Sequence, residues 1–299
     1  MKTMLSLAVL VLAISSANSQ SQKSTKSATD WKAVDDAMGR AGQDQPDGTH
    51  KFSMARGDLK VTVDDVQVKP GFALGSWAAF HKIAKGSEVM GDLVLAEDEV
   101  APVMDKLQAA GLEITALHNH LLHETPRVMY MHIHGNGDAV KLASGIKDAL
   151  SATKTPPPST PPAQPPDLGF DTKQIDSILG HLGKNNNGVY QVAVPRAEKI
   201  TENAMVVPNS MGLATALNFQ PTGGGKAATT GDFVLIGKEV NPVIKALRAG
   251  GVQVTALHSH MLGEQPRLFF MHFWGNDDAL KLARTLRTAL DQTNSVKAK

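Results

Sequence analysis

Between residues 115 and 134 the chain alternates with a period of two. Leu117, Leu121, Met129, Met131 and Ile133 share one parity, and His118, His120, Tyr130, His132 and His134 share the other. Successive strand residues point to opposite faces, so the pattern predicts antiparallel strands over 115–122 and 128–134. The turn between them runs through Glu124, Pro126 and Arg127, because proline cannot donate to a ladder. Apolar, β-branched runs near 51–56, 59–68, 72–80 and 89–95 predict further strands. The period then becomes helical. VMDKLQAAG and VIKALRAGG predict helices closed by glycine, with Pro102 and Pro242 in the first turn, and Asp138 and Asp278 cap the helices DAVKLASGIKDAL and DALKLARTLRTAL. Asp30 and Asp171 are expected to cap a short opening helix that ends at Gly39 or Gly180.

The same succession of elements occurs twice. TALHNHLLHETPRVMYMHIHGNGDAVKLA from Thr115 aligns without a gap on TALHSHMLGEQPRLFFMHFWGNDDALKLA from Thr255, with 18 of 29 positions identical. Upstream, GDLVLAEDEVAPVMDKLQAAGLEIT matches GDFVLIGKEVNPVIKALRAGGVQVT, and ALGSWAAF loosely matches GLATALNF. The predicted organisation is repeat 1 over 30–153, a proline-rich linker over 154–166, repeat 2 over 167–292 and a tail over 293–299. Proline density in the linker favours polyproline II, a semi-rigid spacer. Helices interleaved with hairpin-linked strands predict an α+β fold: two tandem homologous repeats, each a mainly antiparallel sheet with helices on one face. The repeats are expected to pack on each other about a pseudo-twofold axis.

Composition narrows the chemistry. Thirty basic and 29 acidic residues leave a net charge of +1, which argues against the phosphate-neutralising surface of a nucleic-acid binder. The chain contains no cysteine, so disulfides, thiolate metal sites and a lipid-carrying cysteine are excluded. Residues 1–19, with Lys2, an apolar run from Met4 to Ile14 and small residues at Ser15, Ala17 and Ser19, predict a cleaved export signal. That run is too short for a transmembrane helix, which needs about 20 residues. Residues 20–29 are polar and are expected to be disordered. A secreted or periplasmic protein of bacterial type is the expectation, with neither a transmembrane segment nor a lipid anchor.

Five of the eleven histidines fall within residues 116–139. A register pairing 118 with 134 and 120 with 132 places His118, His120, His132 and His134 on one face. Repeat 2 offers His258, His260 and His272, with Trp274 where repeat 1 has His134. Neutral imidazoles converging in this way suit a divalent transition metal, zinc first and copper second. The plainer alternative is hydrogen-bonded polar filler on a sheet face. Glu124 and Glu264 could serve as general base beside a metal-bound water, or be solvated turn carboxylates. Arg127 and Arg267 could hold an anionic substrate or clamp the turn. Asp92 and Asp232, in the repeated Gly-Asp, could turn the strand or contact a site. The methionines at 129, 131 and 271 are assigned to the core. The Gly223–Gly225 triplet lacks the rest of a phosphate-binding loop, and no nucleophile elbow, zinc-protease helix or dinucleotide-binding turn is present.

The repeated TALHNH…ETPRVMYMHIHG…GDA, with GDLVLAEDEV upstream and FSMARGDLKVTVDDV nearer the start, resembles the LppY/LpqO family of bacterial secreted proteins and lipoproteins over almost the whole mature chain. The resemblance implies an envelope or extracellular protein built from a duplicated unit, and it carries no established reaction. Two features depart from it. The acylated cysteine of the family's lipoproteins is missing, and the usual Pro-Arg is Ala55-Arg56 here, although repeat 2 keeps Pro195-Arg196. The functional expectation is a metal-binding protein with a histidine-hairpin site, acting as a hydrolase or lyase on a small polar substrate. The alternatives are non-catalytic capture of a metal or ligand, and a scaffold with no site.

Overall fold

The computed structural model describes residues 31–158 and 164–297. The export signal, the polar lead-in, Asp30 and part of the linker lie outside the described residues. In repeat 1 six antiparallel strands form one sheet in the order Gln43–Asp44, His50–Ala55, Gly75–Lys82, Ser87–Ala96, Val128–Gly137, Glu113–His118. Repeat 2 builds the same sheet from Gly183–Asn186, Val189–Pro195, Ala214–Gly223, Lys226–Ile236, Leu268–Asp278 and Gln253–His258. In both, the last strand enters between the longest hairpin and the strand that precedes it in sequence. The strand carrying His132 or His272 is therefore interior to its sheet.

Three helices cover one face of each sheet. In repeat 1 they are Lys32–Met38, Val100–Ala109 and Ala139–Leu150, and their apolar stripes close over Phe52, Leu93, Met131 and Ile133. Asp138 caps its helix by accepting from the Lys141 amide at 2.9 Å, and Asp278 does the same from Lys281 at 2.8 Å. Asp171 caps Thr172–Leu179, while Gly39 and Gly180 end the opening helices at φ 69° and 73°. Pro242 lies inside Gly237–Ala249, deeper than the first turn expected for it. The run 59–68 is not one strand. It breaks into Thr62–Val63 and Val66–Gln67, because Asp64 and Asp65 turn with positive φ.

The second face of each sheet is also apolar, and the two sheets meet there. Val94 and Tyr130 of repeat 1 share a core with Val189, Ala228 and Trp274, and Ala79 and Met90 share another with Val234, Met261 and Phe270. The layers thus run helix, sheet, sheet, helix. Polar contacts fix the register between repeats: Gln220 accepts from the Lys69 amide and donates to the Gln67 carbonyl, both at 2.8 Å. The face that the helices leave free is covered by the sister repeat, as expected of repeats that pack on each other.

Candidate functional site

The histidine hairpin has a different register from the one preferred on sequence. His118 lies opposite Tyr130, Ala116 opposite His132 and Glu113 opposite His134, with a bulge between Ile114 and Ala116. The strand Glu113–His118 starts and stops earlier than expected, so the connection to Val128 is long. Glu124–Thr125 within it pairs with Thr62–Val63, which holds the loop away from a tight turn. The partner of His118 moves by four positions, an even number, so its parity is kept and His118 still faces the same side as His132. His120 lies beyond the strand end, and its ring stacks on Tyr130 with centroids 3.3 Å apart. In repeat 2 His258 is opposite Phe270 and Ala256 opposite His272, and His260 stacks on Phe270 at 3.5 Å. Not all of the apolar parity is buried: Met131 and Met271 are core residues, whereas Leu117 and Leu257 are exposed.

The two hairpins meet across the sheet-to-sheet interface. His118 stacks on His258, His120 on His272 and His132 on His260, each pair with centroids 3.6 Å apart. Adding the repeat offset of 140 exchanges the second and third pairs and returns the first to itself. That reciprocity is the signature of a pseudo-twofold axis passing between His118 and His258. The ligand atoms of His118, His258, His260 and His272 lie within 4.8 Å of one another, as do those of His118, His120 and His132. Nitrogens bound tetrahedrally to zinc stand about 3.3 Å apart, so closing either set needs only side-chain adjustment.

Eight ring nitrogens of this cluster are buried without a protein hydrogen-bond partner: both on His118, both on His258, and Nε2 on His120, His132, His260 and His272. Buried polar groups are ordinarily paired, so this concentration of exceptions marks the cluster as the candidate site. His272 is already oriented for one. Its Nδ1 donates to the Gly231 carbonyl at 2.8 Å, which leaves the lone pair on Nε2. Burial, and after it the neighbouring His258, lowers the His118 pKa to about 3, and burial lowers His258 to about 4. Burial first, and then the other imidazoles, holds His120, His132, His260 and His272 far below the usual range. All six are therefore neutral, the form that coordinates metal.

Sequence alone left Asp92 and Asp232 open, and the structure brings both to the cluster. Asp92 Oδ2 is 3.7 Å from His132 Nε2, and Asp232 Oδ2 is 3.8 Å from His260 Nε2. Burial raises Asp92 to about 8 and holds Asp232 well above the carboxylate range. The preceding glycine permits this placement. A Cβ on Gly91 would stand 2.7 Å from the Trp77 carbonyl oxygen, and one on Gly231 would collide with that of Ala216. A cavity of about 630 Å³ opens beside the imidazoles, with His132, His260, both aspartates, Lys51 and Trp77 in its wall.

Several predicted site residues lie elsewhere. His134 is tied up by two carboxylates, Nε2 to Glu88 at 3.1 Å and Nδ1 to Glu113 at 3.2 Å, and does not join the cluster. The structural reason is the bulge, which sets Glu113 opposite it. Glu264 accepts from the Leu268 amide at 2.9 Å and from Arg267 at 3.1 Å, so both residues brace the turn. Glu124 accepts from the Val128 amide at 3.2 Å, and burial raises it to about 7. Arg127 is exposed and 3.9 Å from Glu97. None of these five residues lines the cavity. Sequence reasoning did not single out Lys51, and treated Tyr130 only as a residue of the polar face. A lone lysine in a strand carries no signal until the sheet places it.

Fold and site together define a duplicated α+β protein whose repeats bury an imidazole cluster between their sheets. The sequence pattern of the family described as Domain of Unknown Function (DUF1259) matches residues 32–152 and again 173–292. The chain belongs to that family. No curated protein matches it. Among solved structures it is similar to a trimeric bacterial microcompartment shell protein, PduB, at 13% identity over 86% of this chain and 96% of that one, with a TM-score of 0.22. EtuB from Clostridium kluyveri follows at 10% identity over 85% and 94%, TM-score 0.20. The double-ringed trimeric shell protein MSM0271 of the RMM microcompartment has 12% identity over 68% and 81%, TM-score 0.19. At those scores the backbones do not superpose as wholes, and nothing of shell assembly is transferred to this chain. No helix among the described residues is long and apolar enough to cross a membrane.

Proposed function

We propose that the chain captures a divalent transition metal, zinc first and copper second, in the imidazole cluster at the junction of its repeats. The observation that carries this reading is the convergence of eight buried, unpartnered ring nitrogens from both repeats. Each polar atom buried unpaired costs about 1–3 kcal/mol, a penalty that coordination removes at the nitrogens that bind the ion. Capture is favoured over hydrolysis because Glu124 and Glu264, the expected bases, brace hairpin turns away from the cavity. The predicted leader over 1–19 and the resemblance to the LppY/LpqO family support action in the bacterial envelope.

The test is metal analysis of the full chain after equilibration with zinc and removal of excess ion. We expect at least one tightly held ion per chain, and its loss when His118 and His258 are both changed to alanine. A well-folded wild-type chain that retains no zinc or copper overturns the reading.

A further inference from the structure

The cavity beside the imidazoles breaks the symmetry of its own walls. Residue 51 of repeat 1 corresponds to residue 191 of repeat 2, and Trp77 faces Asp92 across its ladder as Ala216 faces Asp232. Repeat 2 thus contributes Gln191 and Ala216 where repeat 1 contributes Lys51 and Trp77, and all four line the cavity. Gln191 donates its amide to the Gly71 carbonyl at 2.8 Å and closes the interface. Lys51 does something else. Its Nζ donates to the Ser210 carbonyl at 2.9 Å and sits 4.1 Å from the centroid of the Trp77 ring. Among the described residues its contacts are that carbonyl and that ring, with no carboxylate in ion-pair range, and it is the only lysine or arginine in the cavity wall.

A half-buried ammonium without an ion-pair partner is costly, because one carbonyl and one ring face replace only part of the hydration it gives up. Burial lowers its pKa to about 8, against the pull of Asp47 and Asp92. The fold does not require this cost, since repeat 2 closes the same position with neutral Gln191. The two acidic side chains in the wall, Asp92 and Asp232, lie 3.7 and 3.8 Å from imidazole nitrogens, and neither forms an ion pair with Lys51. The volume of about 630 Å³ is that of a small-molecule site.

We infer that the cavity binds a small molecule bearing an oxyanion, held between the Lys51 ammonium and the ion of the imidazole cluster, with Trp77 against its carbon skeleton. For the second anchor the inference rests on the proposed metal site. A charge-assisted hydrogen bond to a carboxylate or phosphate oxygen supplies what Lys51 lacks.

The experiment is calorimetric titration of the zinc-equilibrated full chain with succinate and, separately, with inorganic phosphate. We expect at least one to bind at one equivalent per chain. Lys51→Gln, which copies the sister repeat, should weaken it at least ten-fold with zinc content unchanged, and Lys51→Arg should restore most of it. Binding of succinate alone assigns a carboxylate ligand, and binding of phosphate alone a phosphate-bearing one. Failure of both to bind a zinc-loaded chain, or equal binding by Lys51→Gln, overturns the inference and leaves the metal site standing. Lys51-dependent binding by a chain that takes up no zinc sustains the Lys51 anchor and overturns the metal site together with the second anchor.

Discussion

His132 and His134 stand two residues apart on one strand with the same parity, yet meet different chemistry. His132 Nε2 has no protein hydrogen-bond partner, whereas His134 contacts a carboxylate through each nitrogen. His134→Ala should therefore leave the metal content of the chain unchanged, while His132→Ala lowers it, as measured by elemental analysis of the two folded variants. Equal losses would show that the bulge at Thr115 is misplaced. A second expectation concerns Gly231, whose missing side chain leaves room for the Ala216 carbonyl. Gly231→Ala should destabilise the chain by roughly 1–3 kcal/mol in denaturant unfolding, the usual cost of forcing atoms into a closed space.

At the scale of elements, each repeat has an internal brace that sequence reasoning did not assign. Arg196 is buried, and it donates to the Val234 carbonyl at 2.6 Å, to Glu239 at 2.7 Å and to Glu198 at 2.6 Å. It joins a strand end to a helix start, and Arg56 repeats the arrangement with Val94, Glu99 and Asp58. Burial tends to raise Glu198 and Glu239, but hydrogen bonds from Arg196 overcome it and leave both below their ordinary 4.5. A carboxylate depressed in the folded state stabilises above its unfolded pKa, and that stabilisation is lost as pH falls through the folded pKa. Arg196→Met should thus cost about 3–5 kcal/mol near neutrality, because it strands a buried carboxylate. The deficit should shrink as pH falls through the lowered folded pKa of Glu239, as followed by thermal unfolding across pH.

For the whole molecule the central fact is that one interface provides both the core and the cluster. Tyr130, Val94, Phe270 and Trp274 lie in apolar clusters to which both repeats contribute. A repeat expressed alone would expose this face, and its self-complementary shape favours a second copy. Residues 164–297 alone should run as a dimer or aggregate on size exclusion, not as a monomer. They should also bind zinc more weakly than the full chain, since His118 completes the set formed by His258, His260 and His272. A stable monomer with undiminished zinc affinity would refute a site shared between repeats.

What the sequence settled by itself was local or periodic. The duplication, the alternating strands, the capping aspartates and the closing glycines are written in neighbouring residues, and the α+β class follows from their order. Strand parity survived an error of four residues in register, because only an odd slip turns a side chain over, so His118 and His132 were legible as partners. Tertiary structure decided the rest. A bulge diverted His134 to Glu113, a loop pinned by Thr62–Val63 lengthened the hairpin, strand pairing within each sheet set Asp92 beside His132 and Asp232 beside His272, and the docking of the two sheets stacked the imidazoles of one repeat on those of the other. Those outcomes depend on contacts between residues far apart in the chain. Such contacts form only where packing two apolar faces releases more free energy than burying the polar groups between them consumes.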